Sequence, residues 1–205
     1  MGLYRDKILP RLMARAMDSA ERLEWRRLCA KGLSGDVLEV GFGAGHNLPA
    51  YPDEVQRIHA VDPDLVGRKL AAERIAKAQA NVSWAGLDGQ TIALDSDTAD
   101  GALSTWSLCT IPDRLAALGE IRRVLKPGGD LHFAEHGRSD EPKMARFQDR
   151  VNFISKALFG GCNVNIPIDG LIESAGFEIL ELKTFYGPGA KHSSFQYRGV
   201  ARSTK

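Results

Sequence analysis

The sequence predicts an α/β fold built on a parallel, doubly wound sheet. Three observations carry that prediction. Short apolar runs alternate with helical segments at βαβ spacing through the first five strands. The first run, Val37-Leu38-Glu39-Val40, leads into Gly41-Phe42-Gly43-Ala44-Gly45, with glycines at alternate positions. The next two runs are followed by acids, Asp62 and Asp88. In an open sheet ligands bind beyond the carboxyl ends of the strands, so these glycines and acids fall where a site belongs.

The elements follow in order. Residues 3–31 read as helical, with Ile8, Leu9, Leu12, Met13 and Ala16 on one face and a break expected near Pro10. A second helix covers 19–31, and Gly32 to Gly35 punctuates. Val37–Gly41 is the first strand and Arg57–Asp62 the second; an Ala-rich helix follows over Leu65–Gln79, with Asp64 as its N-cap. Val82–Gly86 and Gly101–Trp106 are strands three and four. A helix over Arg114–Leu125 is closed by Lys126-Pro127-Gly128-Gly129, and Asp130–Glu135 is the fifth strand. Helices are expected over 143–158 and 168–175. Two last strands, Phe177–Thr184 and Ser194–Ala201, flank a turn at Gly187-Pro188-Gly189. Their short connection suits a hairpin, hence one antiparallel strand near the sheet edge. The expectation is one domain over 1–205, with 1–33 as a helical extension that could close over the site.

Composition narrows the function. A net charge of +1 provides no global field for nucleic acid. No apolar run is long enough to span a bilayer, and Arg5, Asp6, Lys7, Arg11 and Arg15 break any leader-like stretch. Cys29, Cys109 and Cys162 lie far apart without C-x-x-C spacing. That argues against a zinc site or a disulfide framework and fits a reducing cytoplasm, so no metal is expected.

The glycine loop restricts function most. Its pattern is G-x-G-x-G, with His46 where dinucleotide loops carry their third glycine. Glu39, two residues before Gly41, disfavours a pyrophosphate but suits a cofactor with a cationic amino-acid end. S-adenosylmethionine carries an ammonium and a sulfonium and no phosphate. Charge therefore favours it over NAD, against the bland alternative of a glycine turn with no ligand. Asp62 lies about twenty residues after Gly41, the spacing at which an acid accepts ribose hydroxyls. Asp88 with Gly89 could receive an adenine amino group, or be a plain Asp-Gly turn. Ser104 and Thr105 line the floor between cofactor and acceptor, and Trp106 either walls the acceptor pocket or packs in the core. Glu135 and His136 stand at the fifth strand's end, where one of them could deprotonate or orient an acceptor; loop hydrogen bonding is the alternative. Cys162 reads as a small residue beside the acceptor pocket rather than a nucleophile.

Together these residues resemble the class I S-adenosylmethionine-dependent methyltransferases. Val37–Gly45 resembles the family's first motif, Ala60-Val61-Asp62-Pro63 the ribose motif and Asp88 the adenine motif. Glu120-Ile121-Arg122-Arg123-Val124-Leu125-Lys126-Pro127-Gly128-Gly129 is similar to the lead-in to the fifth strand. The resemblance implies a Rossmann-like seven-stranded sheet, order 3-2-1-4-5-7-6 with strand 7 antiparallel. Gly45-His46-Asn47-Leu48-Pro49-Ala50-Tyr51-Pro52, Leu108-Cys109, Glu135-His136 and Gly161-Cys162-Asn163 look like one subgroup, the bacterial phospholipid and quinone-type enzymes and the animal thiol methyltransferases. It implies Glu39, Gly41, Gly43, Gly45, Asn47, Asp62, Pro63, Asp88, Gly89, Ser104 and Thr105 for the cofactor, and Tyr4, Trp106, Cys162 and Asn163 for the acceptor. Gly89 and Gln90 depart from the usual adenine motif, and the apolar N-terminal anchor of animal relatives is missing from this sequence.

The expected reaction is direct in-line methyl transfer to a small or lipophilic acceptor, leaving S-adenosylhomocysteine. Rival classes are a non-catalytic binder of the same ligands and an NAD-linked oxidoreductase. Arg5, Lys7, Arg11 and Arg15 flank the apolar face of the first helix, which either packs on the domain or lies on an anionic membrane surface.

Overall fold

Val37 and Leu38 are chain neighbours, both fully buried, yet they belong to opposite cores. That is the consequence of a strand covered on both faces. The computed structural model describes residues 4–205, apart from the side chains of Arg5 and Asp6. Its sheet has seven strands: β1 (Gly35–Val40), β2 (Val55–Val61), β3 (Asn81–Gly86), β4 (Ala99–Thr105), β5 (Leu125–His136), β6 (Phe177–Tyr186) and β7 (Phe195–Ser203). Their order is β3-β2-β1-β4-β5-β7-β6, and β7 runs antiparallel to both of its neighbours.

Six α-helices accompany the sheet: α1 (Leu9–Ala16), α2 (Ala20–Ala30), α3 (Leu65–Ala76), α4 (Arg114–Val124), α5 (Pro142–Leu158) and α6 (Ile168–Ser174). One core joins Leu38, Val40 and Leu131 to Leu118 and Ile121 of α4 and Ile168 and Ile172 of α6. The other joins Val37, Ile58 and Leu103 to Cys29 and Ala30 of α2 and Ala71 of α3. Ser19, Asp64 and Asp113 cap α2, α3 and α4 through side-chain oxygens that accept backbone N–H bonds.

Some expectations change. Pro10 starts α1 instead of breaking a helix: it sits in the first turn, where its missing N–H costs nothing. A wide helical turn over Tyr4–Ile8 precedes it. Lys126-Pro127-Gly128-Gly129 lies within β5, not before it, and the β4 ladder shifts register there, between Ala99 and Gly101. Trp106 lies just beyond β4 in a left-handed conformation, φ +51°, instead of continuing the strand. The face of α1 is mostly unpacked: only Leu9 is buried, while Ile8, Leu12 and Met13 are exposed.

Candidate active site

The carboxyl ends of β1, β2, β4 and β5 converge on the glycine loop. Gly41 has φ +85°, and a Cβ there would collide with Ser107. This glycine lets β1 pass the turn after β4. Gly43 has φ +54°, and a Cβ there would meet nothing within 4 Å. Gly43 therefore presents bare backbone to open space. Gly67 at the start of α3 comes so close that a Cβ would stand 3.1 Å from the Gly43 carbonyl. Arg74 ties α3 to the loop through the Ala44 carbonyl at 3.2 Å.

Asp62 faces this backbone. Its Oδ2 accepts the Gly43 N–H at 2.6 Å and its Oδ1 accepts the Asp64 N–H at 2.7 Å. Burial pushes its carboxyl above the ordinary value, and these two N–H groups pull it back. Pro63 sits between the two bonded residues. Asp64, not Asp62, caps α3, as its spacing predicted.

Glu39 is fully buried at the end of β1. Asn47 Nδ2 donates to its Oε1 at 2.7 Å, and the Tyr51 hydroxyl donates to its Oε2 at 2.6 Å. Burial lifts the Glu39 carboxyl to about 7, against these two hydrogen bonds and the nearby Arg26 charge. Arg26 was not singled out by sequence. It reaches from α2 to donate to Asn47 Oδ1 at 2.6 Å and Thr105 Oγ1 at 3.2 Å, and its guanidinium lies 4.7 Å over the Trp106 ring. Burial lowers it to about 10, still charged at neutral pH, and Glu39 opposes that fall. One signal was available: Arg26, Cys29 and Ala30 share the buried face of α2 at i, i+3, i+4.

At the ends of β4 and β5, Glu135 is fully buried. Its Oε1 accepts from Ser104 Oγ at 2.8 Å, Ser107 N at 3.1 Å and Leu108 N at 3.3 Å, while its Oε2 has no partner. Ser104 thus serves Glu135 and Ser107 rather than the open loop. Burial raises the Glu135 carboxyl. Trp106 donates from its indole to Gln196 Oε1 at 2.9 Å. Its left-handed backbone costs about 1–3 kcal/mol in general, the kind of strain that surrounding structure must hold in place.

His136 Nε2 lies 3.1 Å from Cys162 Sγ, and Cys109 completes a group whose donor atoms all fall within 4.8 Å of one another. Cys109 and His136 pull the Cys162 thiol down to about 5, against burial. Burial disfavours the charged His136 ring, but Cys162 and Glu135 outweigh it and raise its affinity for a proton. Asn163 pins the loop by donating from its backbone and side-chain nitrogens to the Cys109 carbonyl, both at 3.0 Å. The sequence reading found no ligand spacing because these three donors come from three separate elements.

Two predicted residues are placed apart. Tyr4 donates to the Leu158 carbonyl at 3.1 Å, at the end of α5, and is exposed. Asp88 is exposed and turns on itself through Gln90 N and Nε2, both at 2.9 Å, while Gly89 is buried below it against Val40. A cavity of about 140 Å³ flanks the loop at His46 and Arg26 but includes none of the strand-end acids, so it is not the centre of the site.

The donor set fits S-adenosylmethionine. The Gly43 N–H that would cradle a phosphate is committed to a carboxylate, and Glu39 adds a second acid nearby. His46 is no anion-binding cation either: burial and the Arg74 and Arg26 charges push it down to about 4. Each Asp62 oxygen keeps a lone pair for a ribose hydroxyl.

This sheet order, with β7 antiparallel, is that of the class I S-adenosylmethionine-dependent methyltransferase fold. A model described as a methyltransferase domain matches residues 38–133 of the chain. Over 158 residues the chain is 29% identical to human thiol S-methyltransferase TMT1A, covering 74% of this chain and 64% of that one. Over 173 residues it is 22% identical to a phosphatidylethanolamine N-methyltransferase of Cereibacter sphaeroides, covering 80% of each. The structure of the N-methyltransferase NodS of Bradyrhizobium japonicum, solved with S-adenosylhomocysteine, shares the fold with a TM-score of 0.73 at 16% identity over 98% of this chain and 99% of that one. The chain thus spans just under two thirds of the length of its human thiol relative.

Proposed function

We propose that this protein transfers a methyl group from S-adenosylmethionine to a small or lipophilic acceptor, with a thiol as the favoured class. When bound, the cofactor supplies an electrophilic methyl on a sulfonium. Asp62 accepts the ribose hydroxyls, Gly43 in the Gly41–Gly45 loop lets backbone approach the ligand, and Asp88 borders the adenine. Glu39, through Asn47, sets a negative field at the amino-acid end, and Arg26 faces its carboxylate. The N-terminal helices serve as the lid, and Trp106 walls the acceptor side.

The observation that carries the acceptor reading is the pair of unpartnered buried atoms at the end of β5, Glu135 Oε2 and His136 Nδ1. Both can take a proton from an acceptor. A thiol, with an ordinary pKa of about 8.5, gives its proton to a nearby imidazole far more readily than an ammonium of about 10.4 does. The similarity to thiol S-methyltransferases supports the same class. An acceptor panel of alkyl thiols, aminolipids and phenols, read by S-adenosylhomocysteine release, tests it. Turnover confined to aminolipids or phenols overturns the thiol reading; no turnover despite cofactor binding favours a non-catalytic binder.

A membrane-surface role has its own support. Ile8, Leu12 and Met13 of α1 and Phe153, Ile154, Leu158 and Phe159 at the end of α5 are exposed. Tyr4 bonded to Leu158, and Leu9 beside Gly160, join the two helices. Lys7, Arg11, Arg15, Arg150 and Lys156 lie on the same two segments. No helix among the described residues is long and apolar enough to cross a membrane. The proposed contact is therefore peripheral, presenting the site to lipophilic acceptors.

A further inference from the structure

We propose that Cys109, His136 and Cys162 form a binding site for a thiophilic divalent cation of the zinc class, placed to hold a thiol acceptor. The inference rests on the thiol reading above for its purpose, but not for its chemistry. Two sulfurs and one imidazole nitrogen lie within 4.8 Å of one another, and one pair is already at 3.1 Å. Donors sharing one zinc lie about 3.5 Å apart, from Zn–S near 2.3 Å and Zn–N near 2.0 Å. Small side-chain rotations close the difference.

The site is built, not incidental. Cys109 is buried in the turn after β4, where Arg114 donates to the carbonyls of Leu108 and Cys109. Cys162 is carried by a loop with two glycines at positive φ, Gly160 and Gly161. Asn163 fastens that loop to the Cys109 carbonyl, and Asn152 fastens it to α5 by donating to Asn163 Oδ1 and accepting from Val164 N. His136 turns Nε2 toward Cys162 Sγ at 3.1 Å, and its other ring nitrogen, Nδ1, is buried without a partner. A second unpartnered buried atom, Glu135 Oε2, stands on the neighbouring residue. Buried polar atoms without partners call for a ligand or an ion.

Charge and donor type choose the cation. Two thiolates offset a divalent ion, and the soft sulfur donors with one imidazole favour zinc over magnesium or calcium. Three protein donors leave a tetrahedral position open, the arrangement of catalytic rather than structural zinc. The donors stand at or beyond the ends of β4 and β5, the side of the sheet where the proposed acceptor belongs. His136 then holds the ion rather than the acceptor's proton. A thiol entering the open position releases its proton to solvent. Its sulfur forms the new S–C bond as the sulfonium C–S bond breaks, and the bonding pair stays on the cofactor's sulfur.

The test uses the full chain, reduced and stripped with a chelator, then titrated with Co²⁺ and afterwards with Zn²⁺. Expected are one equivalent bound, a thiolate-to-cobalt charge-transfer absorption, and its loss on zinc addition. Cys162→Ser and His136→Gln weaken metal binding by at least about tenfold to a hundredfold, the range found when even outer partners of a metal site are lost. Thermal stabilisation by S-adenosylhomocysteine is kept in both variants, which shows that they fold. No stoichiometric binding by the reduced protein overturns the site, as does binding unchanged in Cys162→Ser. A Cys109–Cys162 disulfide in the protein as isolated, with no metal bound after reduction, also overturns it. Thiol methylation that is equally fast with and without zinc overturns its acceptor-holding role. Failure to methylate any thiol while the metal still binds overturns the thiol reading and leaves the site standing.

Discussion

The Gly43 N–H and the Asp62 carboxylate meet at 2.6 Å, so the loop after β1 and the acid after β2 form one unit. An acid that accepts from the loop pins the glycine backbone where the cofactor must approach. Asp62→Asn replaces an anionic acceptor with a neutral one at a charge-assisted bond worth about 1.5–3 kcal/mol. We expect S-adenosylhomocysteine affinity to fall about tenfold to a hundredfold by calorimetry, with little loss of the acceptor KM.

Two glycines of the loop separate stability from binding. Gly41→Ala forces a Cβ into Ser107 and is expected to cost several kcal/mol in denaturant melts, on the order of other core overpacking. Gly43→Ala meets nothing and is expected to cost about 1–2 kcal/mol, the left-handed backbone term alone. Its larger effect is loss of cofactor binding, because the new methyl points into open space that the ligand needs. Equal losses of stability in the two variants would contradict this division.

In the proposed site Arg26 faces the amino-acid end of the ligand from α2. Arg26→Ala should weaken S-adenosylhomocysteine at least about tenfold, the loss of one charge-assisted contact. Binding of 5′-methylthioadenosine, which lacks the carboxylate, should barely change. Comparable losses for both ligands would mean that Arg26 acts only by holding Asn47 and Thr105 in place.

Glu39 makes cofactor binding pH-dependent. Burial raises it to about 7, so the folded protein keeps a proton that the unfolded chain loses near 4.5. Through this group stability falls as pH rises across about 4.5 to 7, while the negative field offered to a cationic ligand grows. S-adenosylmethionine affinity should therefore strengthen from about pH 5.5 to about 6.7, a unit or more below the α-amino pKa of about 7.7–8.0. Arg26, Tyr51 and Asp62 also face Glu39; Arg26, at about 10, stays charged and Tyr51, raised by burial, stays neutral across this range, while burial raises Asp62 as well. Glu39→Gln should flatten the profile; a slope unchanged in that variant assigns it to another group.

The exposed face of α1 and α5 should bind anionic vesicles. Co-sedimentation at low salt is expected to fall on Leu12→Ser combined with Phe153→Ser, both exposed, with no change in melting. No sedimentation of the unaltered protein at low salt rules out the lipid contact.

Much of the fold was legible because its signals are local. Alternating apolar runs, Asp64 before its helix, and the glycine loop each act within a few residues. Strand order and the antiparallel β7 came from the family resemblance and match the structure. Boundaries failed where long-range pairing overrode local preference, as when β5 runs through Lys126-Pro127-Gly128-Gly129 to pair with β4. Arg26 and Tyr51 were missed because their partners, Asn47, Thr105 and Glu39, are defined only by packing.

By itself the sequence determined that an acid, a glycine loop and a second acid stand at successive strand ends, since hydrophobic period and glycine conformation are properties of short segments. Only the tertiary structure decided that Asp62 is bonded to Gly43, that α2 delivers a buried guanidinium beside Glu39, and that Cys109, His136 and Cys162 meet. The last of these meetings depends on how the turns after β4 and β5 and the loop after α5 pack together. Residues 109 to 162 have no spacing that encodes such a meeting; the sheet brings them together by burying its two cores.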